Sequence, residues 1–319
     1  MSGKPVVTVL EGEFPVFGLD RIEPHADVRI VNAAGLREAL PGSQVLFLWD
    51  FFSPAITPLL AAPHTLEWIH VAATGVDKLL VPELVASSVV LTNASGVFDR
   101  PIAEYVLACV SAHLKHLPQT RELQREKSWL TRETRNLAGT RVVVVGAGGI
   151  GRETGRLLRA VGMDVTIVGR SERTDPEFGR VHAASDLTTL VGDSDVIVGA
   201  LPLTERTMGL ISAETIRAMK KTAYFINVGR GQTVDQEALT AAILAGDIEG
   251  AALDTFVEEP LPRQDPLWEA PGVLVSPHTS SRTTGWLDQL VDQFCKNFDD
   301  WRAGRPLDGI IDKQKGYAA

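Results

Sequence analysis

The chain has 319 residues, 45% hydrophobic and 22% charged, and its 31 basic and 40 acidic side chains give a net charge of −9. This length suits one large domain or two ordinary ones, the composition excludes disorder, and the acidic balance argues against a nucleic-acid partner. Two distant cysteines, no basic-then-apolar leader and no bilayer-length apolar run point to a reduced cytoplasmic setting with no membrane partner.

In chain order, apolar runs at Val6–Leu10, Val28–Val31, Val45–Trp49, Leu66–Val71 and Val89–Thr92 read as strands, with helices at Leu36–Leu40 and Ile56–Ala62 between them. Continuous Val/Ile/Leu runs suit strands buried on both faces, and their alternation with helices predicts a doubly wound parallel α/β sheet. Trp49, Phe51 and Phe52 close the third run, either as ordinary packing or as an apolar wall for a substrate side chain. A longer helix is expected over Pro101–His116, with Pro101 in its first turn, where a missing N–H costs nothing. His113 and His116 stand three apart on it; without further ligands at metal spacing they read as a solvated face. Cys109 reads as a small buried residue. The charged stretch Gln119–Arg135, with Trp129 its one aromatic, reads as an exposed connection or arm.

A second alternating series then begins, with strands at Arg141–Val145, Asp164–Val168, Asp195–Ala200, Ala223–Val228, Gly250–Asp254 and Val273–Ser276. Helices are expected at Ile150–Ala160, Ser212–Lys221 and Gln236–Leu244, and a last one at Trp286–Arg302 before a short tail. The first strand of this series runs into Gly146-Ala-Gly148-Gly149-Ile150-Gly151 and then into a helix. Gly146 allows the tight turn, Gly148 lets backbone approach a pyrophosphate, and Gly151 lets the helix pack on the strand. The helix N-terminus then points its N–H groups at the phosphates. The second strand ends at Gly169-Arg170-Ser171-Glu172-Arg173, where an NAD site would place an acidic residue. Arg170 cannot accept from a ribose hydroxyl but can pair with a 2′-phosphate; Ser171 and Arg173 can add to it, and Glu172 opposes it.

Arg230, Glu259 and His278 each follow a strand of this series, at the edge where open α/β sheets gather ligands. Arginine offers a planar fork to a carboxylate and keeps its charge. Histidine exchanges a proton near neutrality, and a carboxylate beside it favours the imidazolium form and orients the ring. No metal is needed for this chemistry.

With Gly146–Gly151, the motifs Ala200-Leu201-Pro202-Leu203-Thr204, Asn227-Val228-Gly229-Arg230-Gly231, Asp254 through Glu259-Pro260, Pro277-His278 and the earlier Ala73-Thr74-Gly75-Val76-Asp77 occur in a characteristic order. In them the chain resembles the D-isomer-specific 2-hydroxyacid dehydrogenase family over essentially its whole length. The resemblance implies two doubly wound parallel-sheet domains. A Rossmann cofactor domain, residues 101–284, would be inserted into a flavodoxin-like substrate domain, residues 1–100 and 285–319.

The resemblance also implies that Arg230 binds the substrate carboxylate, that Glu259 supports the histidine, and that His278 is the acid/base. Thr74, Gly75 and Val76 would help hold the carboxylate, with Trp49 facing the substrate entrance. Coenzyme contacts would come from Gly146, Gly148, Gly149, Ile150, Gly151, Leu201, Pro202, Thr207, Val228 and Gly229. Asp254 would meet the nicotinamide carboxamide. The arm around 119–135 corresponds to a region the family uses in dimer formation, which implies a homodimer.

Two departures stand out. Thr279-Ser280-Ser281 replaces the glycine or alanine of many members, and Arg170 replaces the usual acidic residue, as in the glyoxylate/hydroxypyruvate reductase branch. The expected activity is therefore reduction of a small 2-oxo acid to a D-2-hydroxy acid, with NADP(H) as preferred coenzyme and NAD(H) as the alternative. The competing reading is a nucleotide-sensing, corepressor-like binding protein that retains the fold.

Overall fold

The computed structural model describes residues 3–51, 53–60 and 64–318. The chain divides into two compact units, residues 1–98 with 284–319 and residues 99–283.

The first unit holds five parallel strands: β1 (Val6–Leu10), β2 (Asp27–Val31), β3 (Val45–Leu48), β4 (Trp68–Val71) and β5 (Val90–Asn93), in the order β2-β1-β3-β4-β5. That order is the flavodoxin-like one, with its topological switch between β1 and β3. Strands β3 and β4 are buried at every residue, as their uninterrupted apolar runs require. Short helices α1 (Leu36–Ala39), α2 (Thr57–Leu60) and α3 (Pro82–Ala86) make the crossovers. The expected helix Ile56–Ala62 is seen as α2 alone; residues 61 and 62, like Phe52, lie outside the described residues.

The second unit opens with α4 (Asp99–Leu114) and α5 (Leu117–Arg125). One helix is expected up to His116, followed by an exposed connection or arm. Instead the chain breaks at His116, whose φ of 49° is left-handed, and restarts with Pro118 in the first turn of α5. The arm is thus partly helical, and α5 buries none of its residues. The sheet comprises β6 (Arg141–Val145), β7 (Asp164–Gly169), β8 (Arg173–Asp175), β9 (Gly179–Ala183), β10 (Val196–Gly199), β11 (Tyr224–Asn227), β12 (Gly250–Leu253) and β13 (Val273–Val275). Their order is β13-β12-β11-β10-β6-β7-β9-β8, parallel except where β8 turns back on β9. The direction of winding reverses between β6 and β10. Helices α6 (Gly149–Ala160), α7 (Leu187–Gly192), α8 (Ala213–Ala218) and α9 (Gln236–Ala245) complete the unit.

The first unit regains the chain at α10 (Trp286–Arg302) and a final hairpin, β14 (Ile311–Asp312) with β15 (Tyr317–Ala318). Phe294 of α10 stacks on Phe47 at 4.0 Å and on Trp68 at 5.4 Å, so the helix docks through aromatic faces. Among these rings lies His70, wholly buried, its Nδ1 2.7 Å from the Thr92 hydroxyl. Burial pushes this imidazole down to about 3. In the unfolded chain it titrates near 6.5, so between those pH values the unfolded state binds a proton that the folded state refuses. Stability should therefore fall as pH drops below about 6.5, by roughly 1.4 kcal/mol per pH unit from this group until about 3. Denaturant titrations between pH 7 and 4 should show that slope, flattened in His70→Phe; equal slopes in the two proteins would contradict it.

Candidate active site

The glycine-rich turn leaves β6 at the switch point of the second sheet. Gly146 has φ 131°, and a Cβ there would stand 2.3 Å from the Ala200 carbonyl at the end of β10. A Cβ on Gly151 would stand 1.8 Å from the Gly146 carbonyl, so α6 approaches the strand too closely for any side chain. Gly149 faces the Asp99 carboxylate, 2.2 Å from the place of its missing Cβ. Burial, reinforced by Glu153, holds Asp99 above the usual carboxylate range. Gly148 differs: a Cβ there would meet nothing within 4 Å. Protein packing explains Gly146 and Gly151 but not Gly148, whose open flank beside the start of α6 suits a diphosphate lying against the backbone. Ile150 lies in that first turn, where no side chain caps the helix. The turn therefore fits a dinucleotide.

Beyond β7 the fitted surface continues. The guanidinium of Arg173 lies over Gly169, its Nη1 2.9 Å from the place of the missing Cβ, with Ala147 of the glycine turn 3.4 Å from the same point. Glu172 pairs with Arg180 at 2.9 Å across the β8–β9 hairpin. Arg170 and Ser171 are exposed. On the other side of the switch, Gly229 packs on the backbone of Leu201, whose carbonyl is 2.6 Å from the place of a Cβ. Val228 is buried behind it. Thr207 closes the intervening turn by donating to the Pro202 carbonyl at 2.6 Å and accepting from the Thr204 amide.

Arg230 follows β11 in extended conformation, and its carbonyl accepts from Asn227 Nδ2 at 3.2 Å and Thr233 Oγ1 at 2.7 Å. Its Nη1 donates to the Gly229 carbonyl at 3.0 Å. The next residue, Gly231, crosses the backbone of Phe256 so closely that a Cβ would lie 1.9 Å from its carbonyl carbon. That crossing joins the loops after β11 and β12, and with them Arg230 and Glu259. Glu259 Oε1 accepts from the Phe256 amide at 3.0 Å, and Oε2 meets His278 Nδ1 at 2.9 Å. Burial opposes the ionised Glu259. The hydrogen bonds from His278 and Phe256, with the Arg230 charge, overcome that penalty and hold the carboxyl below its usual range. Arg230, Glu259 and His278 thus come together within one unit.

Asp254 ends β12 and is fully buried, both its oxygens bonded to the segment that carries His278. This use of Asp254 is additional to the coenzyme contact that the resemblance implies. His113 differs from expectation. Instead of standing in solvent, it stacks on Tyr224 at 3.9 Å and takes a hydrogen bond from Arg135 at 2.7 Å. Burial pushes its imidazole down to about 4. Among the described residues no group of three His, Cys, Asp or Glu side chains is placed to hold a metal. Nor is any helix among them long and apolar enough to cross a membrane.

In the first unit the remaining candidates lie at the carboxyl ends of strands. Thr74, Gly75 and Val76 follow β4, and the Thr74 carbonyl accepts from Asn93 Nδ2 at the end of β5. Trp49 is buried and donates to the Phe14 carbonyl at 2.6 Å. It therefore braces the loop after β1, whose exposed rings are Phe14, set edge-on to Trp286, and Phe17, set edge-on to Trp49 itself.

A sequence profile described as D-isomer specific 2-hydroxyacid dehydrogenase, NAD binding domain, matches residues 107–280. A glyoxylate reductase of Thermofilum pendens is 32% identical over 80% of this chain and 77% of its own. Among solved structures, a D-isomer specific 2-hydroxyacid dehydrogenase from Xanthobacter autotrophicus, in complex with NADPH, is 29% identical with a TM-score of 0.82. That comparison covers 99% of this chain and all of the other. An NADPH-dependent glyoxylate/hydroxypyruvate reductase from Sinorhizobium meliloti, in complex with NADP and sulfate, is 25% identical with a TM-score of 0.83, again over 99% of this chain and all of the other.

Proposed function

The chain belongs to the D-isomer-specific 2-hydroxyacid dehydrogenase family, and from that premise we propose that it reduces a small 2-oxo acid of the glyoxylate or hydroxypyruvate type with NADPH. As a member it is an NAD(P)-dependent oxidoreductase. The observation that carries the reading is the His278–Glu259 pair at 2.9 Å with the Arg230 charge acting on it.

When bound, the nicotinamide supplies the hydride that reaches the substrate's C2. The protein's part is anchoring and proton supply. Arg230 takes the carboxylate in its guanidinium fork, and its charge stabilises the carbonyl oxygen as negative charge develops there. His278 gives a proton to that oxygen, leaving a 2-hydroxy acid; in the reverse direction it takes the proton back. Because Glu259 engages Nδ1, the exchange falls to Nε2. The glycine turn with Leu201, Pro202 and Gly229 holds the dinucleotide. Glyoxylate and hydroxypyruvate are the favoured substrates because relatives named for them match most of the chain.

NADPH is favoured over NADH by two features. Arg173 lies over the end of β7 beside the glycine turn, and Glu172, which would repel a 2′-phosphate, is paired with Arg180. A hydrogen bond to a charged group contributes about 1.5–3 kcal/mol, so each good phosphate contact is worth roughly 10- to 100-fold. The kcat/KM for NADPH should exceed that for NADH by at least that margin. Arg173→Ala and Arg170→Ala should each reduce the ratio. Equal or better efficiency with NADH in the wild type would overturn the preference.

The protein is further proposed to be a homodimer that covers the arm. Trp129 is 99% exposed and Leu117 and Leu130 more than half exposed, a poor arrangement for a free segment in water. Light scattering should give twice the 34.5 kDa chain mass; one chain mass at micromolar concentration would contradict it. The buried free thiols Cys109 and Cys295 suit a reducing cytoplasmic setting.

A further inference from the structure

His278 occupies the left-handed region, with φ 52°. A non-glycine residue keeps that conformation only where its surroundings over-determine it. The bonds that do so converge on one buried carboxylate. Asp254 Oδ1 accepts from the Ser276 hydroxyl at 2.6 Å and from the Thr279 amide at 2.9 Å, while Oδ2 accepts from the Ser280 amide at 3.0 Å. These contacts grip the backbone on both sides of His278. The Ser276 hydroxyl also lies 2.6 Å from the Tyr105 hydroxyl, which comes from α4. A hydroxyl has one proton to donate, and an ionised carboxylate only accepts. The Ser276 proton is therefore committed to Asp254, and Tyr105 must be the donor to Ser276.

We infer that Tyr105 and Ser276 are positioning residues, acting in series through Asp254 to hold the turn that presents His278. The assignment rests on His278 being the acid/base proposed above. It is compatible with Asp254 also meeting a carboxamide: a carboxylate has about four acceptor sites, and three are used here. Tyr105 matters because it ties the turn to a helix that begins the unit rather than to a neighbouring loop. Burial keeps its phenol protonated, as a donor must be.

The test uses the full-length protein and the variants Tyr105→Phe and Ser276→Ala, with Ser276→Thr to restore the hydroxyl. Hydrogen exchange at the Thr279 and Ser280 amides reads the grip directly and needs no turnover. Exchange should accelerate about tenfold or more in Tyr105→Phe and in Ser276→Ala, and return toward wild type in Ser276→Thr. With a 2-oxo acid that the wild type reduces, kcat should fall about tenfold in both variants while the NADPH dissociation constant stays within twofold. The double variant should be no slower than Ser276→Ala alone, because links in series fail together. Wild-type exchange at both amides in Ser276→Ala, or losses that multiply in the double variant, would overturn the inference. If Ser276→Ala does not fold, Tyr105→Phe, which removes one oxygen, decides by the same readouts. A wild type that reduces no 2-oxo acid would count against the proposed function, and the exchange data would still judge the chain.

Discussion

His278→Ala is expected to lower 2-oxo acid turnover by about 10²–10⁴-fold, the usual worth of a positioned general acid, with coenzyme affinity little changed. The proton must reach the carbonyl oxygen as the hydride arrives at C2. In the proposed mechanism that proton comes from His278, which Glu259 holds through Nδ1 at 2.9 Å. His278→Asn is the companion variant, since asparagine tolerates the left-handed backbone better than alanine and separates lost chemistry from a relaxed turn. Both should be slow. Wild-type turnover in either would remove His278 from the reaction.

Arg230→Ala should raise KM and lower kcat together, for a combined loss in kcat/KM of about 10²-fold or more. In the proposed mechanism the guanidinium would make two charge-assisted bonds to the substrate carboxylate, each worth about 1.5–3 kcal/mol. Its charge also counts more as the oxyanion develops, so the effect does not stop at binding. Arg230→Lys should recover only part of the loss, because a point charge cannot reproduce the planar fork. An unchanged KM in Arg230→Ala would move the carboxylate site elsewhere.

Much of this was legible in the sequence where physics acts locally. Strands such as Val142–Val145 and Leu46–Leu48 are buried on both faces and read as unbroken apolar runs. The glycine turn was legible because Gly146 and Gly151 answer to close backbone approaches that any sequence would have to accommodate. The catalytic candidates stood out because each follows a strand.

What escaped depends on distant partners. The β8–β9 hairpin has polar, half-exposed strands, and its order comes from Asp175 and Glu177 clasped by Arg152 and Arg156 of α6. Pro118 cannot sit in a helix interior, so a break near His116 was legible, whereas the new helix that Pro118 opens was not. Tyr105 and Ser276 meet across 171 residues, a pairing that no local pattern records. Trp49 was placed at the right strand end, but its indole braces Phe14, a contact across 35 residues.

A coenzyme-linked reduction anchored by Arg230 and completed by His278 is read directly by steady-state NADPH consumption at 340 nm. Glyoxylate, hydroxypyruvate and bulkier 2-oxo acids should be offered to the purified wild type, with product analysed for D-configuration. Saturable NADPH oxidation is expected with at least one of the small acids, matched one to one by the corresponding 2-hydroxy acid, which is the D-isomer where the product is chiral. Tight NADPH binding without oxidation by any member of the series would contradict it and leave a nucleotide-binding protein that keeps the site without using it.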